Sequence, residues 1–366
     1  MWIGRHESVA AGVGVKAAPP LHARLRRLLR RLGAAAALLV TGLAHADATP
    51  NTCPPPLQPP TAAEIAAAQA AHARDRGMLW RITRDGRTSY LYGSIHVGRL
   101  DWAFYGPRMS AALVASDVLA LELDVTDPTL AQRTQAATAA LPPTPPLAPE
   151  VQARLRRQWE AACVPAAGIV EIEKLHPMLQ LSTLTLLLAR ADGLELGYGQ
   201  EFVLAGLAQQ FQRPIVSLET PELQIAALAG IEPSKIGDAV AQSLAQVEDG
   251  RARQQLLRLA ALWETGNLAD LEAYETWCEC VPDEASRAYM RRINDERNVH
   301  IAAGIDRLHG EGKRVFAAVG VLHMSGEKAL PGLLAGLGFQ VERVDYAAPA
   351  AAPAVPVPAA PASAMR

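Results

Sequence analysis

Six short apolar runs, rich in Val, Ile, Leu and Tyr, alternate with longer segments whose apolar residues recur at helical spacing. Such runs are typical of β-strands, and their alternation with helices favours a mostly parallel sheet joined by crossover helices. The predicted strands are residues 79–83, 89–94, 118–124, 214–218, 314–319 and 340–344. An Asp-Gly step between the first two runs favours a tight hairpin turn. The sequence therefore predicts an α/β fold with a mostly parallel central sheet and an antiparallel N-terminal hairpin.

Residues from about 150 to 310 carry more helical pattern than crossover connections need. We expect this insertion to form a large helical lobe over one edge of the sheet, inside a globular domain that spans residues 79–346. An N-terminal extension with a Pro-rich segment, residues 47–78, precedes that domain. Residues 347–366 contain five prolines and ten alanines, a composition that predicts a disordered tail.

The first 46 residues have the order of a secretory signal peptide. Five arginines between residues 24 and 31 precede an apolar run over 33–43 and the small-residue site Ala44-His45-Ala46. The apolar run is about half of the ~20 residues that a spanning helix needs, so cleavage after Ala46 is favoured over a membrane anchor. We therefore expect a periplasmic or secreted protein with no stable membrane anchor after cleavage.

Charge argues against some classes of partner. Residues 1–46 contain seven basic residues and one acidic residue. The remainder contains 28 basic and 36 acidic residues, a net charge of −8 compared with −2 for the whole chain. A mildly acidic body without a basic stripe argues against nucleic acid as a partner and favours an enzyme or a small-ligand protein.

Four cysteines, Cys53, Cys163, Cys278 and Cys280, follow the predicted cleavage site. An even number in an exported chain favours disulfides over free thiols or a metal site. Because a Cys278–Cys280 bond closes a very small ring, we expect each of these two to pair with Cys53 or Cys163.

Polar residues follow four of the predicted strands. The predicted strand 89–94 runs into Gly93-Ser94-Ile95-His96, and the predicted strand 314–319 runs into Gly320-Val321-Leu322-His323. Two glutamates complete the set: Glu122 interrupts the apolar run of a third strand, and Glu219 follows the apolar run of a fourth. Since ligands bind beyond the carboxyl ends of parallel strands, we expect these groups to meet at one edge of the sheet.

Imidazoles and carboxylates together suit a divalent transition metal. The sequence therefore predicts His96 and His323 as metal ligands and Glu122 as a ligand or general base, with Glu219, Gly93 and Gly320 as further candidates. Arg297 is predicted as a catalytic residue that pairs with Glu122 or stabilises the developing oxyanion. Ser94 is a candidate for supporting the histidine or contacting substrate. Two other interpretations stay open: Glu122 forms a salt bridge with Arg297, and Glu219 precedes a helix that Thr220 caps.

Taken in order, several segments of the chain resemble the TraB/GumN family, which includes the animal Tiki proteins. They are residues 91–98, 119–124, 216–220 with Gln224, 297–298 and 315–326, and the resemblance extends from about residue 79 to residue 344. Where family members often carry a Gly-x-Asp step, this chain has Gly199-Gln200-Glu201. At this position the chain departs from the family pattern.

The resemblance implies a metal-dependent hydrolase, since Tiki proteins are membrane-tethered metalloproteases. It implies that His96, Glu122 and His323 are active-site residues supported by Arg297, and that manganese or cobalt is the activating ion. Nitrogen and oxygen ligands also allow zinc or iron. The leading hypothesis is an exported peptidase that acts on a peptide or protein substrate. One rival is a non-enzymatic periplasmic protein that binds a metal, haem or an oligosaccharide and supports envelope polysaccharide processes. The other is a disulfide-stabilised scaffold for a protein partner.

Overall fold

A six-stranded sheet organises the protein, and the computed structural model describes residues 53–346. The predicted signal peptide and Ala/Pro-rich tail lie outside the described residues. The strands are β1 (Met78–Arg84), β2 (Arg87–Ser94), β3 (Val118–Leu121), β4 (Ile215–Ser217), β5 (Val315–Gly320) and β6 (Gln340–Arg343). Their spatial order is β4-β3-β5-β2-β1-β6.

The pairing of the strands confirms the predicted fold class. The strands β4, β3, β5 and β2 are parallel, whereas β1 forms an antiparallel hairpin with β2 and pairs antiparallel with β6 at the far edge. Asp85 and Gly86 make the hairpin turn with positive φ angles of 52° and 70°, as expected for an Asp-Gly step. All six predicted strands are present.

The third strand is shorter than predicted. It ends at Leu121, so Glu122 lies just beyond the strand and not within it. The amide N–H of Gly320 donates to the Glu122 carboxylate at 2.7 Å. Because the side chain and not the backbone accepts this hydrogen bond, the ladder between β3 and β5 stops at Leu121.

Helices account for most of the remaining residues, and a large group of them forms the predicted lobe. They are α1 (Ala62–His72), α2 (Pro107–Ala115), α3 (Leu130–Ala139), α4 (Pro149–Ala161), α5 (Ala166–Ile172), α6 (Pro177–Leu187), α7 (Gln200–Gln210), α8 (Pro221–Ala229), α9 (Ile236–Glu248), α10 (Arg251–Thr265), α11 (Leu268–Glu272), α12 (Tyr274–Trp277), α13 (Glu284–Arg291), α14 (Arg297–Gly310) and α15 (Leu330–Gly336). Across residues 53–346, no helix combines the length and apolar character needed to cross a membrane.

Two separate apolar cores stabilise the sheet and the lobe. The sheet core contains fully buried residues such as Leu91, Leu121 and Val319. The lobe has its own core, in which Trp159 of α4 and Val240 of α9 are fully buried. The lobe therefore packs as a unit of its own beside the sheet.

The predicted disulfide pairing is wrong. Cys53 is bonded to Cys163, and Cys278 is bonded to Cys280. Glu279 adopts a left-handed conformation (φ 50°), which folds the chain back on itself and brings the Cα atoms of its two neighbours to 5.0 Å. That separation lies within the range that disulfides require, so the short ring closes without help from a distant segment.

The two disulfides differ in the length of chain they close, and therefore in their expected effect on stability. The Cys53–Cys163 bond joins residues 110 positions apart, so replacing both with serine removes a large restriction on the unfolded chain. We expect Cys53→Ser with Cys163→Ser to lower the free energy of unfolding by about 2–5 kcal/mol, as measured by urea denaturation without reductant. The matched control is Cys278→Ser with Cys280→Ser. The bond that it removes closes only a short ring, so we expect a clearly smaller loss in the free energy of unfolding. Equal losses in the two double variants would contradict this assignment.

Candidate active site

The carboxyl ends of the four parallel strands bring the predicted polar residues to one edge of the sheet. Glu122 follows β3 and Glu219 follows β4, while His96 and His323 lie in the segments after β2 and β5. The backbone continues the β3–β4 contact there, since the Glu219 amide donates to the Glu122 carbonyl at 3.0 Å. These four side chains lie close together as the sequence predicts.

Arg297 joins two buried carboxylates. Its Nη2 lies 2.6 Å from Glu122 Oε2 and 2.5 Å from Glu219 Oε2, and its Nε donates to Glu219 Oε1 at 2.9 Å. Gln224 donates through Nε2 to both carboxylates at 3.1 Å. The side chains of the three charged residues are at most 11% exposed. This group is hereafter called the Arg297 cluster. The salt bridge between Glu122 and Arg297 is present, and Thr220 caps α8 by accepting from the Leu223 amide, so both alternative interpretations of the two glutamates are confirmed.

The cluster keeps Glu122 ionised. Burial alone raises the pKa of a carboxyl group, but Arg297, the protonated His96 and the Gly320 amide outweigh it and hold the pKa of Glu122 well below its usual range. For Arg297, burial favours the neutral form, but the two carboxylates outweigh it and raise its pKa. Glu122 is therefore an anion at any physiological pH.

His323 is buried and neutral. Burial lowers its pKa to about 4, against the opposing charge of Glu122. Asn298 donates through Nδ2 to the carbonyls of His323 and Lys328, so its Oδ1 is the atom that faces the ring. That oxygen lies 2.6 Å from Nδ1 of His323 and only accepts, which places the ring proton on Nδ1. Nε2 of His323 therefore carries a lone pair, and this nitrogen lies 3.8 Å from Glu122 Oε1.

His96 has the opposite environment. Its side chain is 49% exposed, and its Nδ1 lies 3.1 Å from Oε1 of Glu201. The negative charge of Glu201 and its contact with Nδ1 raise the pKa of His96 to about 9. Ser94 donates to the same Glu201 oxygen at 2.6 Å. Two G-x-x-H segments thus produce one protonated, solvent-facing imidazole and one neutral, buried imidazole.

Glu201 is the site residue that sequence reasoning missed. Glu201 is the second residue of α7. The amide of Gln200, the first residue, donates to the Ile95 carbonyl at 2.9 Å and so holds the start of the helix against the first G-x-x-H segment. A side chain at Gly199 would lie 2.5 Å from the His96 carbonyl, so glycine permits this close approach. The Gly199-Gln200-Glu201 sequence was the available signal.

A π-helical turn positions the arginine and the asparagine. The turn Arg292–Glu296 separates α13 from α14. Asn294 within this turn, and Arg297 and Asn298 in the first turn of α14, all direct their side chains toward the strand ends. The Ile293 carbonyl accepts from Nη1 of Arg297 at 3.0 Å. π-Helical turns occur frequently at functional sites because they re-aim side chains within a helix.

The other predicted candidates lie behind the histidines or beside them. Ser94 is fully buried and contacts Glu201, so it supports His96 from behind and does not face the solvent side of the site. Gly93 does not reach the site, since a Cβ there would lie 3.0 Å from the Val321 side chain, and its carbonyl accepts from Trp263. Its role is close packing.

The donor atoms of the site converge beside Gly320. A Cβ added to Gly320 would lie 3.3 Å from Glu122 Oε1, 3.6 Å from His96 Nε2 and 3.7 Å from His323 Cδ2. In the arrangement that the structure describes for residues 53–346, no group of three or more His, Cys, Asp and Glu side chains is close enough to hold a metal ion. The donor atoms of Glu122 and His96 and the ring of His323 therefore border one space beside Gly320, hereafter the cradle.

Comparison with known proteins assigns the chain to a family. Residues 78–343, well over half of the chain, match the model of the TraB/PrgY/gumN family, and the chain belongs to that family. It is also similar to the uncharacterized protein YbaP of Shigella flexneri, with 26% identity over 258 residues that cover 68% of this chain and 88% of the relative. No solved structure matches the chain significantly.

Removing the arginine tests how strongly the Arg297 cluster stabilises the fold. Arg297→Met leaves two carboxylates buried and unpaired, so we expect the free energy of unfolding to fall by about 3–5 kcal/mol in urea denaturation at pH 7. Arg133, which pairs with Glu222 at 3.1 Å on the surface, provides the matched control. We expect Arg133→Met to cost only about 0–1 kcal/mol. A loss in Arg297→Met no greater than in Arg133→Met would contradict the importance of the cluster.

Proposed function

We propose that this protein is an exported metal-dependent hydrolase, and that its reaction is the cleavage of a peptide bond in a peptide or protein substrate. The observation that supports this proposal best is the convergence of two imidazoles and a carboxylate beside Gly320. Family membership supports it further, through the resemblance to the Tiki metalloproteases. Export is supported by the signal-peptide pattern and by the two disulfides, which suit an oxidising compartment.

The chemistry of the three side chains fits a divalent transition metal. Each histidine has an oxygen partner on Nδ1, Glu201 for His96 and Asn298 for His323, which leaves Nε2 as the atom that faces the cradle. Ligating histidines almost always carry such a partner on the other ring nitrogen. We propose Nε2 of both histidines and Oε1 of Glu122 as the ligands, with manganese or cobalt preferred by resemblance and zinc or iron allowed by the ligand types.

The metal, when bound, would supply Lewis acidity, which polarises a carbonyl group and lowers the pKa of water. The side chains of the protein have separate tasks. His323 offers a neutral lone pair without first losing a proton, because burial keeps its pKa low. His96 must release a proton from Nε2 at neutral pH, and its exposure gives that proton a route to solvent.

Glu122 suits the role of ligand better than that of general base. Its lowered pKa makes it a poor acceptor of protons, whereas its negative charge offsets the charge of a cation. Arg297 donates from Nε, Nη1 and Nη2 to Glu219, Ile293 and Glu122. Since four of its five N–H groups are engaged in this way, two of them through Nη2 with Glu122 and Glu219, we assign Arg297 as a positioning residue that holds the carboxylate.

Filling the cradle provides the sharpest test. Gly320 has a φ of −51°, so alanine is tolerated by the backbone, but its methyl group would occupy the space between the three ligands. We expect Gly320→Ala to fold normally and to lose metal and turnover by at least about tenfold, as His96→Ala and His323→Ala do. The control is Gly237→Ala on α9, where an added Cβ meets no atom within 4 Å. Metal content and hydrolysis of a peptide library are measured on each full-length variant.

Each outcome decides between the functions. Full activity in His96→Ala, His323→Ala or Gly320→Ala would overturn the proposed site. Stoichiometric metal without turnover would replace the hydrolase by a metal-binding protein. Sequencing of the N-terminus of the exported protein tests the localisation, because the proposal requires cleavage after Ala46.

A further inference from the structure

The disulfide between Cys278 and Cys280 has no evident role in stability. The stabilisation that a cross-link provides grows with the length of chain it closes, and this bond closes a ring across a single intervening residue. Three contacts outside the ring already hold the loop. Gln246 donates to the Glu279 carbonyl at 3.1 Å, Arg251 pairs with the Glu279 carboxylate at 3.2 Å, and Arg287 donates to the Val281 carbonyl at 3.3 Å.

The two sulfur atoms have different surroundings. Cys278 is fully buried at the end of α12. Cys280 is partly exposed and lines a cavity of about 620 Å³ in the helical lobe. An attacking thiolate therefore reaches the sulfur of Cys280 and not that of Cys278.

The buried sulfur is prepared to leave. The amide N–H of Cys280 points at Sγ of Cys278, with the nitrogen 3.1 Å away. A hydrogen-bond donor at this position stabilises the thiolate that forms when the S–S bond breaks, and a stabilised leaving thiolate departs faster.

The cavity beside Cys280 has the lining of a site for an unfolded segment. Its walls include the apolar or aromatic side chains of Met178, Leu228, Ile231, Tyr289, Met290 and Ile293. A chain that has not yet folded exposes apolar side chains next to its cysteines, whereas a small hydrophilic thiol has none to place there. The lining therefore favours a protein thiol over a small thiol.

We propose that the Cys278–Cys280 disulfide is a redox site that oxidises cysteine pairs in unfolded protein segments bound in the adjacent cavity. A substrate thiolate attacks Sγ of Cys280, the S–S bond breaks, and Cys278 leaves as a thiolate. A second substrate thiolate then attacks the substrate sulfur of the mixed disulfide and releases the thiolate of Cys280. Two electrons pass from the substrate, which gains a disulfide, to the cysteine pair, which becomes a dithiol.

The test follows the cysteines of the oxidised full chain by alkylation and peptide mass spectrometry. The chain is mixed with reduced, denatured ribonuclease A or with glutathione at equal thiol concentration. We expect Cys278–Cys280 to become reduced roughly tenfold faster by the reduced protein than by glutathione, a preference that Cys53–Cys163, which does not line the cavity, lacks. An acid quench is expected to trap the substrate on Cys280.

Variants separate the steps. Cys278→Ser with Cys280→Ser is expected to lose the exchange entirely, whereas Cys53→Ser with Cys163→Ser retains it. Ser182→Trp places an indole in the cavity from α6 and is expected to slow the exchange with the protein but not with glutathione. Circular dichroism checks that each variant is folded.

Three results would overturn the proposal. They are a Cys278–Cys280 bond that the reduced protein does not reduce, equal rates for the protein and glutathione, and a mixed disulfide on Cys278. None depends on metal binding, so this proposal and the hydrolase proposal fail independently.

Discussion

The compensation of two buried carboxylates by one arginine is the interaction on which the site depends. Glu122 and Glu219 follow neighbouring parallel strands, so the topology forces two like charges together in a region with little water. Two anions so placed repel each other, and each resists leaving water, unless a cation satisfies both. Arg297 does so from a helix that lies far away in the sequence, and it thereby fastens α14 to the carboxyl edge of the sheet. The same helix presents Asn298 to His323, so the geometry of the buried histidine follows from the ion cluster.

The two histidines show how much environment adds to a motif. His96 and His323 both end a G-x-x-H segment, yet their pKa values are displaced in opposite directions. The partner on Nδ1 explains part of the difference, because Glu201 carries a charge and Asn298 does not. Exposure explains the rest, since burial penalises the imidazolium of His323 most. The motif therefore specifies where the rings lie, and the neighbouring elements decide their protonation.

The sequence predicted the parts of the molecule that are governed by local patterns. Apolar runs located all six strands, and parallel topology predicted that Glu122, Glu219 and the two histidines lie at one edge. Contacts between distant segments were not predictable in the same way. Glu201 reaches His96 only because α7 starts against the Ile95 carbonyl. The disulfide pairing depended on the backbone conformation of the single residue Glu279, which no spacing rule indicates.

The π-helical turn before α14 belongs to both the sheet edge and the helical lobe. On one side, Ile293 lines the lobe cavity that also contains Cys280. On the other side, the carbonyl of the same residue accepts a hydrogen bond from Arg297. A π-turn has i→i+5 hydrogen bonds in place of the i→i+4 bonds of an α-helix, and such turns occur frequently at functional sites. The lobe and the strand ends have separate apolar cores, so this turn is a direct backbone link between the cavity and the residues that hold Glu122.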